Sequence, residues 1–412
     1  MERAALAAAL GAPAQVGAAA ASPAPVRVRA ADVTAFRAAL AAGAAGAGPV
    51  FLEDPSWGES ENAQVEALVA AERVEESGAR RDPERGWLMI PTGGTSGRIK
   101  FARHDGATLA AAVSGFRQHF GLDRVNALGL LPLHHVSGLM AWLRCALSGG
   151  DYVPGRWKDI EAGARPDLPA RPDGWVLSLV PTQLERLLRG PAAVAWLRGF
   201  RIIFLGGAPA WPDLLDRAAA ARLPLALSYG MTETAAMVTA LRPEEFLAGA
   251  RHNGTALPHA RVSLTTEGLI AVAGASVFRG YWPEVGAGGA FVTADLGALD
   301  AAGALTVLGR RDGVIITGGE KVHPEEVEAV LRGTGEFADV VVLGRPHAEW
   351  GREVVAVHPA GRAPDWERVR SALARQLAPA KRPKRFVAVA DWPVTAAGKV
   401  NRGALAARLA AE

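Results

Sequence analysis

Cysteine is almost absent from this sequence: Cys145 is the only one in 412 residues. A single thiol excludes an internal disulfide framework and a multi-cysteine metal site, and it suits a reducing compartment. No signature of a nucleophile surrounds Cys145, so a small buried apolar side chain is favoured over a catalytic thiol. We therefore expect a cytoplasmic protein.

An excess of one charge is also lacking. Lys and Arg number 45 against 42 Asp and Glu, and only 21% of the residues are charged. The pI near 9.2 therefore reflects a small basic excess rather than a basic tract that could follow a phosphate backbone. Nucleic acid is not expected as a partner.

A long hydrophobic run of membrane-spanning quality is missing as well. Residues 4–26 carry no charge, but they are rich in alanine and are interrupted by two glycines and three prolines. Proline breaks a helix and alanine contributes little transfer energy, while Met1-Glu2-Arg3 is a poor positively charged start for a signal peptide. We expect a surface or packing segment and no membrane association.

What the sequence does contain is the pattern of two globular domains. Half of the residues are hydrophobic, and the chain is too long for one core. Short apolar runs alternate with helical segments between residues 87 and 230, which indicates a parallel sheet with right-handed crossovers. Three strands are predicted there, at Trp175–Val180, Arg201–Leu205 and Leu223–Tyr229, with helices that begin at Pro181 and Trp211. Because ligands bind beyond the carboxyl ends of such strands, the loops at Gly93, Gly206 and Gly230 should converge.

The pattern changes to antiparallel hairpins after Pro258 and starts again after Arg310. The later part is predicted to contain strands at Val314–Thr317, Asp339–Leu343 and Glu353–His358 and helices at Pro324–Arg332 and Asp365–Leu377. The predicted fold class is α/β: a large N-terminal domain, residues 1–310, has parallel sheets plus a distorted antiparallel region. A small, mobile α+β domain follows at residues 311–412.

Four glycine-rich segments are candidates for chemistry. The first is Thr92-Gly93-Gly94-Thr95-Ser96-Gly97-Arg98-Ile99-Lys100, directly after an apolar run. Glycines let backbone amides approach phosphate oxygens, the hydroxyls add donors, and Lys100 adds a positive charge. The spacing differs from the common P-loop. A triphosphate site and a tight structural turn both stay open for this segment alone.

The second segment, Ser228-Tyr229-Gly230-Met231-Thr232-Glu233, ends the third predicted strand. An aromatic ring can stack on a purine, a hydroxyl can reach a phosphate, and a carboxylate can hold Mg²⁺ against phosphate oxygens. The alternative is a strand-to-helix cap in which Thr232 and Glu233 satisfy free amides. Taken alone, the segment does not decide between the two.

The third segment combines Gly309-Arg310-Arg311-Asp312-Gly313 with Gly318-Gly319-Glu320-Lys321-Val322-His323-Pro324-Glu325-Glu326. A hairpin turn and an acid-rich helix start account well for Pro324 to Glu326 but poorly for Arg310 and the double glycine. The fourth is Pro393-Val394-Thr395-Ala396-Ala397-Gly398-Lys399-Val400-Asn401-Arg402. Its lysine could enter a cleft and neutralise charge on a carboxylate that attacks phosphorus, although a lone Gly-Lys is typical of a solvated turn.

In this order and at these intervals, the four segments resemble the adenylate-forming superfamily of acyl-CoA synthetases, adenylation domains and luciferases, from about residue 87 to the C-terminus. The resemblance implies an enzyme that uses ATP and Mg²⁺ to turn a carboxylic acid into an acyl-AMP and then passes the acyl group to coenzyme A. It also implies a small domain that rotates about a hinge between the two half-reactions.

The resemblance assigns roles to the motif residues. For the nucleotide, it implies that Thr92 to Lys100 form the phosphate loop, that Gly206, Gly207, Ala208, Tyr229 and Gly230 enclose the adenine, and that Asp295 and Arg310 bind the ribose. For the chemistry, it implies that Thr232 touches the α-phosphate, Glu233 holds Mg²⁺ and Lys399 serves the adenylation step. For the thiol step, it implies a hinge at Asp312 and an approach of Gly318 and Gly319 to the acyl-AMP.

Two runs resemble the o-succinylbenzoate-CoA ligases of menaquinone and phylloquinone synthesis: Leu131-Pro132-Leu133-His134-His135-Val136-Ser137-Gly138 and Ser178-Leu179-Val180-Pro181-Thr182-Gln183-Leu184. The resemblance places His135, Gly138 and Met231 at the acyl pocket, although a histidine that caps a strand end is an alternative for His135. The open alternatives for the whole chain are another aryl- or acyl-CoA ligase, an adenylation domain that loads a carrier protein, and a non-catalytic nucleotide-binding relative. A homo-oligomer is compatible with the sequence.

Two residues depart from the family pattern. Gly93 stands where most relatives carry a hydroxyl, and Ala294 replaces the usual glycine before Asp295. Only about 90 residues precede the phosphate loop, as in the shorter members of the ligase group, so part of the usual large-domain scaffold is expected to be trimmed.

Overall fold

The N-terminal part of the chain forms a small mixed sheet. A computed structural model describes residues 1–11, 24–30, 32–46, 48–71, 86–93, 99–284, 289–318, 320–347, 349–395 and 399–411. The first four strands are β1 (Val26–Val28), β2 (Val50–Leu52), β3 (Leu88–Gly93) and β4 (Ile99–His104), accompanied by helices α1 (Arg3–Ala9), α2 (Val33–Ala45) and α3 (Glu59–Ala71). Strands β1, β2 and β3 run parallel, and β4 returns antiparallel to β3. The phosphate-loop segment therefore connects the two strands of a hairpin.

A 7-stranded sheet forms the centre of the molecule, in the order β11-β10-β9-β8-β7-β5-β6. Its strands are β5 (Ala127–Gly129), β6 (Tyr152–Pro154), β7 (Val176–Leu179), β8 (Ile202–Leu205), β9 (Leu225–Met231), β10 (Ala236–Ala240) and β11 (Thr255–Ala256). The helices of this region are α4 (Gly106–Phe120), α5 (Val136–Ser148), α6 (Trp157–Glu161), α7 (Pro181–Leu187), α8 (Pro191–Leu197), α9 (Pro212–Ala220) and α10 (Pro243–Leu247). Strands β5 to β9 pair in parallel, so their carboxyl ends share one edge of the sheet.

Local sequence explains where the long helices of this layer begin and end. Asp105 caps α4 through a hydrogen bond from the Thr108 amide to its side chain. Gly121 and Gly149 end α4 and α5 in the left-handed conformation that favours glycine. Leucines and phenylalanines of both faces of the sheet are buried, as expected for strands covered by helices.

Two further sheets follow. The antiparallel sheet contains β12 (Ala260–Leu264), β13 (Leu269–Gly274), β14 (Ala290–Leu299) and β15 (Leu305–Arg310). The C-terminal sheet contains β16 (Ile315–Thr317), β17 (Glu320–Val322), β18 (Val341–His347), β19 (Gly351–Pro359) and β20 (Arg385–Val389), with helices α11 (Pro324–Gly333), α12 (Trp366–Gln376) and α13 (Arg402–Ala411). In the C-terminal sheet, β20 joins β19 in parallel while the other pairs are antiparallel.

The predicted α/β class with a C-terminal α+β part is confirmed, and the domain boundary at residue 310 stays a prediction. Two details of the prediction were wrong. The region after residue 87 opens with the β3–β4 hairpin instead of a βα unit, and β9 continues through Gly230 to Met231 instead of ending in a loop there.

The thiol of Cys145 is buried, as expected, and burial raises its pKa to about 12. Within the described residues, no helix combines the length and apolar character needed to cross a bilayer.

Candidate active site

The ribose-site candidates lie together where β9 meets the antiparallel sheet. The hydroxyl of Tyr229 donates a 2.6 Å hydrogen bond to Oδ2 of Asp295. Asp295 faces Arg310 across the β14–β15 pair, and Nη1 of Arg310 lies 3.6 Å from Oδ1 of Asp295. Burial and the Asp295 carboxylate both raise the pKa of Tyr229, so its phenol keeps its proton. The three side chains form one hydrogen-bonded and ionic group.

The metal-site candidate is a buried carboxylate. Glu233 accepts hydrogen bonds on Oε1 from the hydroxyl of Tyr281, at 2.6 Å, and from that of Thr92, at 3.4 Å. Within the described residues neither bond uses Oε2, so that oxygen is available to a cation. The ammonium group of Lys100 lies 5.2 Å from the centre of the Tyr281 ring. One described end of the phosphate-loop segment, at Thr92, therefore contacts Glu233, and the other, at Lys100, lies over the ring of Tyr281.

The Thr232 turn is held by His104, a residue that the sequence did not single out. Nε2 of His104 lies 2.7 Å from the carbonyl oxygen of Thr232, and Nδ1 lies 3.1 Å from Oγ1 of Thr108. Because a carbonyl only accepts, Nε2 carries the proton and donates it. Burial lowers the pKa of His104 to about 4, which keeps the imidazole neutral. A neutral donor beneath the turn fixes the direction of Thr232 and Glu233.

The tail lysine reaches the strand ends of the central sheet. Gly207, just after β8, has a φ of +78°, and a Cβ at this position would lie 2.9 Å from Nζ of Lys399. Gly206 is equally confined, since its Cβ would lie 2.9 Å from Oγ of Ser228. Ala208, next in the same loop, is exposed. Lys399 therefore lies against Gly207 in the loop that follows β8, and the roles of both residues stay predictions.

The loop that carries Lys399 is a small hairpin. The Thr395 amide donates to the Lys399 carbonyl at 2.7 Å, the Lys399 amide donates to Oγ1 of Thr395 at 3.2 Å, and Val394 pairs with Val400. Burial lowers the pKa of the Lys399 ammonium. Helix α11 makes two contacts with the preceding part of the chain. Arg332 lies 5.0 Å from the ring centre of Trp211, at the start of α9, and a Cβ at Gly309 of β15 would lie 2.7 Å from Oε2 of Glu325.

Two of the three acyl-pocket candidates, His135 and Gly138, lie at the start of α5. His135 precedes the helix, and its side chain does not cap it. Nε2 of His135 is buried without a hydrogen-bond partner among the described residues, and burial together with the neighbouring His134 lowers its pKa to about 4. Gly138 packs so closely on the preceding loop that a Cβ would lie 2.2 Å from the Pro132 carbonyl oxygen. Met231 ends β9, next to the Thr232 turn.

Arg144, which sequence reasoning missed, is a buried cation on the inner face of α5. Its guanidinium lies 3.9 Å from the centre of the Phe116 ring, its side chain is 4% exposed, and Nε has no hydrogen-bond partner. No carboxylate of the described residues forms an ion pair with it, and burial lowers its pKa to about 9. His259, nearby, has both ring nitrogens buried without partners. In the sequence, the sign of this buried cation was a single arginine within the apolar run that forms α5.

Five of the predicted site residues lie outside the described residues: Gly94, Thr95, Ser96, Gly97 and Gly319. Three others lie in or beside turns. Gly93 ends β3, and Gly318 is an exposed residue with a φ of +54° whose amide donates to the Trp350 carbonyl. Asp312 lies in a single 3₁₀ turn, Arg311–Gly313, between β15 and β16. Their roles stay predictions.

Comparison with known proteins agrees with this arrangement. Residues 9–282 match the AMP-binding enzyme family and residues 326–399 match the AMP-binding enzyme C-terminal domain. A probable 2-succinylbenzoate–CoA ligase of Mycobacterium tuberculosis is 33% identical over 367 residues, which cover 85% of this chain and 90% of the relative. A 2-succinylbenzoate–CoA ligase of Listeria monocytogenes is 32% identical over 346 residues, which cover 79% and 71%.

Two solved structures share the fold. The o-succinylbenzoate CoA synthetase of Bacillus subtilis, in complex with the acyl-adenylate intermediate OSB-AMP, superposes with a TM-score of 0.75 at 23% identity, covering 98% of this chain and 91% of that one. ATP-bound MatB of Rhodopseudomonas palustris gives a TM-score of 0.74 at 24% identity, covering 99% and 92%. The family matches span most of the sequence and include the first two glycine-rich segments and most of the fourth, whereas the third, except for Glu326, lies between them. The chain belongs to the family of AMP-binding enzymes.

Proposed function

We propose that this protein is an AMP-forming 2-succinylbenzoate–CoA ligase. It would use ATP to activate the acid as an acyl-AMP and then transfer the acyl group to coenzyme A. The observation that carries the ligase chemistry is the position of Lys399, whose ammonium group lies over Gly207 at the carboxyl ends of the parallel strands. The names of the relatives, which match most of the chain, support the choice of acid.

The first half-reaction brings two anions together. A carboxylate oxygen of the acid attacks the α-phosphorus of ATP, and the bond from that phosphorus to the bridging oxygen of pyrophosphate breaks. Lys399 supplies a positive charge at the point of contact, and the loop amides and Lys100 balance the phosphates. The Thr232 turn, held by the His104 donor, would bring the Thr232 hydroxyl to the same phosphate.

Glu233 is suited to hold Mg²⁺. Its carboxylate is buried, both of its hydrogen bonds end on Oε1, and Oε2 is left for a hard cation, which prefers oxygen ligands. When bound, Mg²⁺ would neutralise charge on the phosphates of ATP. Tyr281 fixes the orientation of the carboxylate through its 2.6 Å hydrogen bond.

The nucleoside part of ATP would lie between the Gly206-Gly207-Ala208 loop and Tyr229. Asp295 and Arg310, opposite one another on β14 and β15, would bind the ribose hydroxyls. For the second half-reaction, the turn at Asp312 would act as the hinge. Rotation there would withdraw Lys399 and bring Gly318 and Gly319 toward the acyl-AMP, whose carbonyl carbon the coenzyme A sulfur attacks as AMP leaves.

Arg144 supports a substrate with a second carboxylate. A buried guanidinium without a counter-ion is costly unless a ligand supplies the negative charge. Nine residues of helix separate Arg144 from His135, a rise of about 14 Å along the axis. Because helical side chains lean toward the N-terminus of their helix, the long Arg144 side chain can cover part of that distance and the acid the rest. We propose that one carboxylate is activated near Lys399 while the other binds Arg144. Binding of two carboxylates suits 2-succinylbenzoate, the acid in the names of the relatives. We place the reaction in the cytoplasm.

The experiment is a substrate panel with and without the Arg144 cation. Products formed from ATP, coenzyme A and 2-succinylbenzoate, 4-oxo-4-phenylbutanoate, benzoate or a fatty acid are identified by mass spectrometry. We expect the 2-succinylbenzoyl thioester, and Arg144→Met should lower kcat/KM for 2-succinylbenzoate about 30-fold or more, because a buried charge pair loses one partner. The matched control is Arg37→Met, since Arg37 is an exposed arginine of α2 that also lies over an aromatic ring, 5.2 Å from the ring centre of Trp142.

Two outcomes would contradict the proposal. Conversion of benzoate or fatty acids but not of 2-succinylbenzoate would indicate another acyl-CoA ligase, and transfer only to a carrier protein would indicate a loading enzyme. Arg144→Met should leave kcat/KM for 4-oxo-4-phenylbutanoate, which lacks the ring carboxylate, within a few-fold. An equal loss for both acids would mean that Arg144 supports the fold instead of the second carboxylate.

A further inference from the structure

Three potential metal ligands converge beside the acyl pocket. Asp54, which follows β2, and His134 are buried, and the adjacent His135 completes the group. One ligand atom from each residue lies within 4.8 Å of the other two. The proposed reaction uses neither Asp54 nor His134, so the ligase mechanism does not explain this cluster.

Hydrogen bonding does not explain the cluster either. Nε2 of His134 lies 3.3 Å from Oδ2 of Asp54, yet it has no well-directed hydrogen bond, and Nε2 of His135 has no partner. Both nitrogens are buried. An unsatisfied buried polar atom costs about 1–3 kcal/mol, so native structures rarely keep two of them side by side without a ligand.

Ser56 fixes the carboxylate of this cluster. Oδ1 of Asp54 accepts hydrogen bonds from the amide and the hydroxyl of Ser56, at 2.8 and 2.7 Å, which leaves Oδ2 facing the imidazoles. Such support from a second layer of residues is typical of metal-binding carboxylates.

We propose that Asp54, His134 and His135 bind a divalent transition metal ion of the Zn²⁺ class. Two imidazole nitrogens and one carboxylate oxygen are a common ligand set for Zn²⁺, and a fourth position stays open to water or a substrate oxygen. Imidazole ligands favour Zn²⁺ over Mg²⁺ or Ca²⁺, which prefer oxygen. The site is therefore distinct from the Glu233 carboxylate proposed for Mg²⁺.

A chelator competition assay tests the site directly. The full-length protein, free of nucleotide and acid, competes with a chromogenic chelator for Zn²⁺. We expect one Zn²⁺ per chain in the wild type, and affinity at least 10-fold lower in His134→Phe and in Asp54→Asn, since loss of even an outer-layer partner typically costs 10–100-fold. The control His252→Asn, which keeps an acceptor for the Gly254 amide, should bind like the wild type.

Cobalt substitution completes the test. Co²⁺ should give the visible absorption of a four-coordinate nitrogen and oxygen site in the wild type but not in His134→Phe, and thermal unfolding checks that both variants fold. Equal Zn²⁺ affinity in the wild type and both ligand variants would overturn the site. Because no substrate is present, neither result depends on the choice of acid.

Discussion

The two ends of the active site differ in how their buried polar groups are satisfied. At the nucleotide end, Tyr229 bonds to Asp295 and Tyr281 bonds to Glu233, each at 2.6 Å. At the acyl end, nitrogens of His135, Arg144 and His259 are buried without hydrogen-bond partners among the described residues. The nucleotide end is thus internally paired and the acyl end is not.

This difference indicates where binding energy and selectivity arise. Paired groups hold their geometry by themselves, and removing one hydroxyl costs only the net value of a hydrogen bond. Unpaired buried groups have a free energy cost that a complementary ligand can recover, and a ligand without the complementary group cannot. We therefore expect substitutions at the nucleotide end to reduce activity mildly and substitutions of unpaired cations to reduce it severely.

The largest effect is expected for Lys399→Ala, which removes the unpaired cation that spans the two ends. Acid-dependent pyrophosphate release should fall about 100- to 1,000-fold, the range for loss of one group that stabilises charge in a transition state. ATP binding, measured by calorimetry, should stay within a few-fold because the paired nucleotide end is intact. The control Lys158→Ala removes an exposed lysine of α6. Unchanged turnover in Lys399→Ala would refute both its role and the proposed closure.

A smaller effect is expected for Tyr229→Phe at the paired end. The variant loses one hydrogen bond to Asp295, worth about 1 kcal/mol, so KM for ATP should rise about 5-fold. The acid KM should not change, because Arg310 still restrains the Asp295 carboxylate from the neighbouring strand. Steady-state kinetics with each substrate varied in turn measure both values. A rise in the acid KM alone would contradict the division of the site into two ends.

The sequence predicted local elements better than their partners in space. Strands β7 and β8 and helix α11 lie within a residue or two of their predicted bounds, because apolar runs bounded by glycine and proline define them. The β3–β4 hairpin was missed, since a glycine-rich connection looks the same whether the next segment is a strand or a helix. Sheet neighbours such as β2 and β3, far apart in the chain, leave no local signal.

The candidate site was predicted only in part, for a related reason. Motif residues such as Glu233 and Lys399 stand in segments whose composition already suggests phosphate chemistry. Three other residues stand in sequence segments without a recognisable motif. Arg144 is notable because it is buried without a counter-ion among the described residues, and Asp54 because it converges with two histidines of another loop. His104 is notable because it contacts the Thr232 carbonyl. Those properties exist only in three dimensions.

The smallest expected effect concerns the pH dependence of stability. Burial lowers the pKa of His104, His135 and His259 to about 4. In the unfolded chain each would titrate near 6.5, so between about pH 6.5 and 4 the unfolded state binds more protons. Stability should therefore fall as the pH drops through this window and be fully present above it. Each histidine contributes less than about 1 kcal/mol between pH 6.5 and 5.5.

The variant His259→Gln tests this pH dependence at a histidine whose ring nitrogens are buried without hydrogen-bond partners among the described residues. Free energies of unfolding from urea titrations at pH 7.5, 6.5 and 5.5 should show a shallower decline than in the wild type, because one of the three neutral imidazoles is gone. His252→Gln, on the loop before β11, should keep the wild-type slope. An unchanged slope in His259→Gln would mean that the ring of His259 is already matched by a proton acceptor, which would remove it from the unpaired end. A shallower slope leaves Arg144 beside a neutral neighbour, so a carboxylate ligand remains the natural source of its counter-charge.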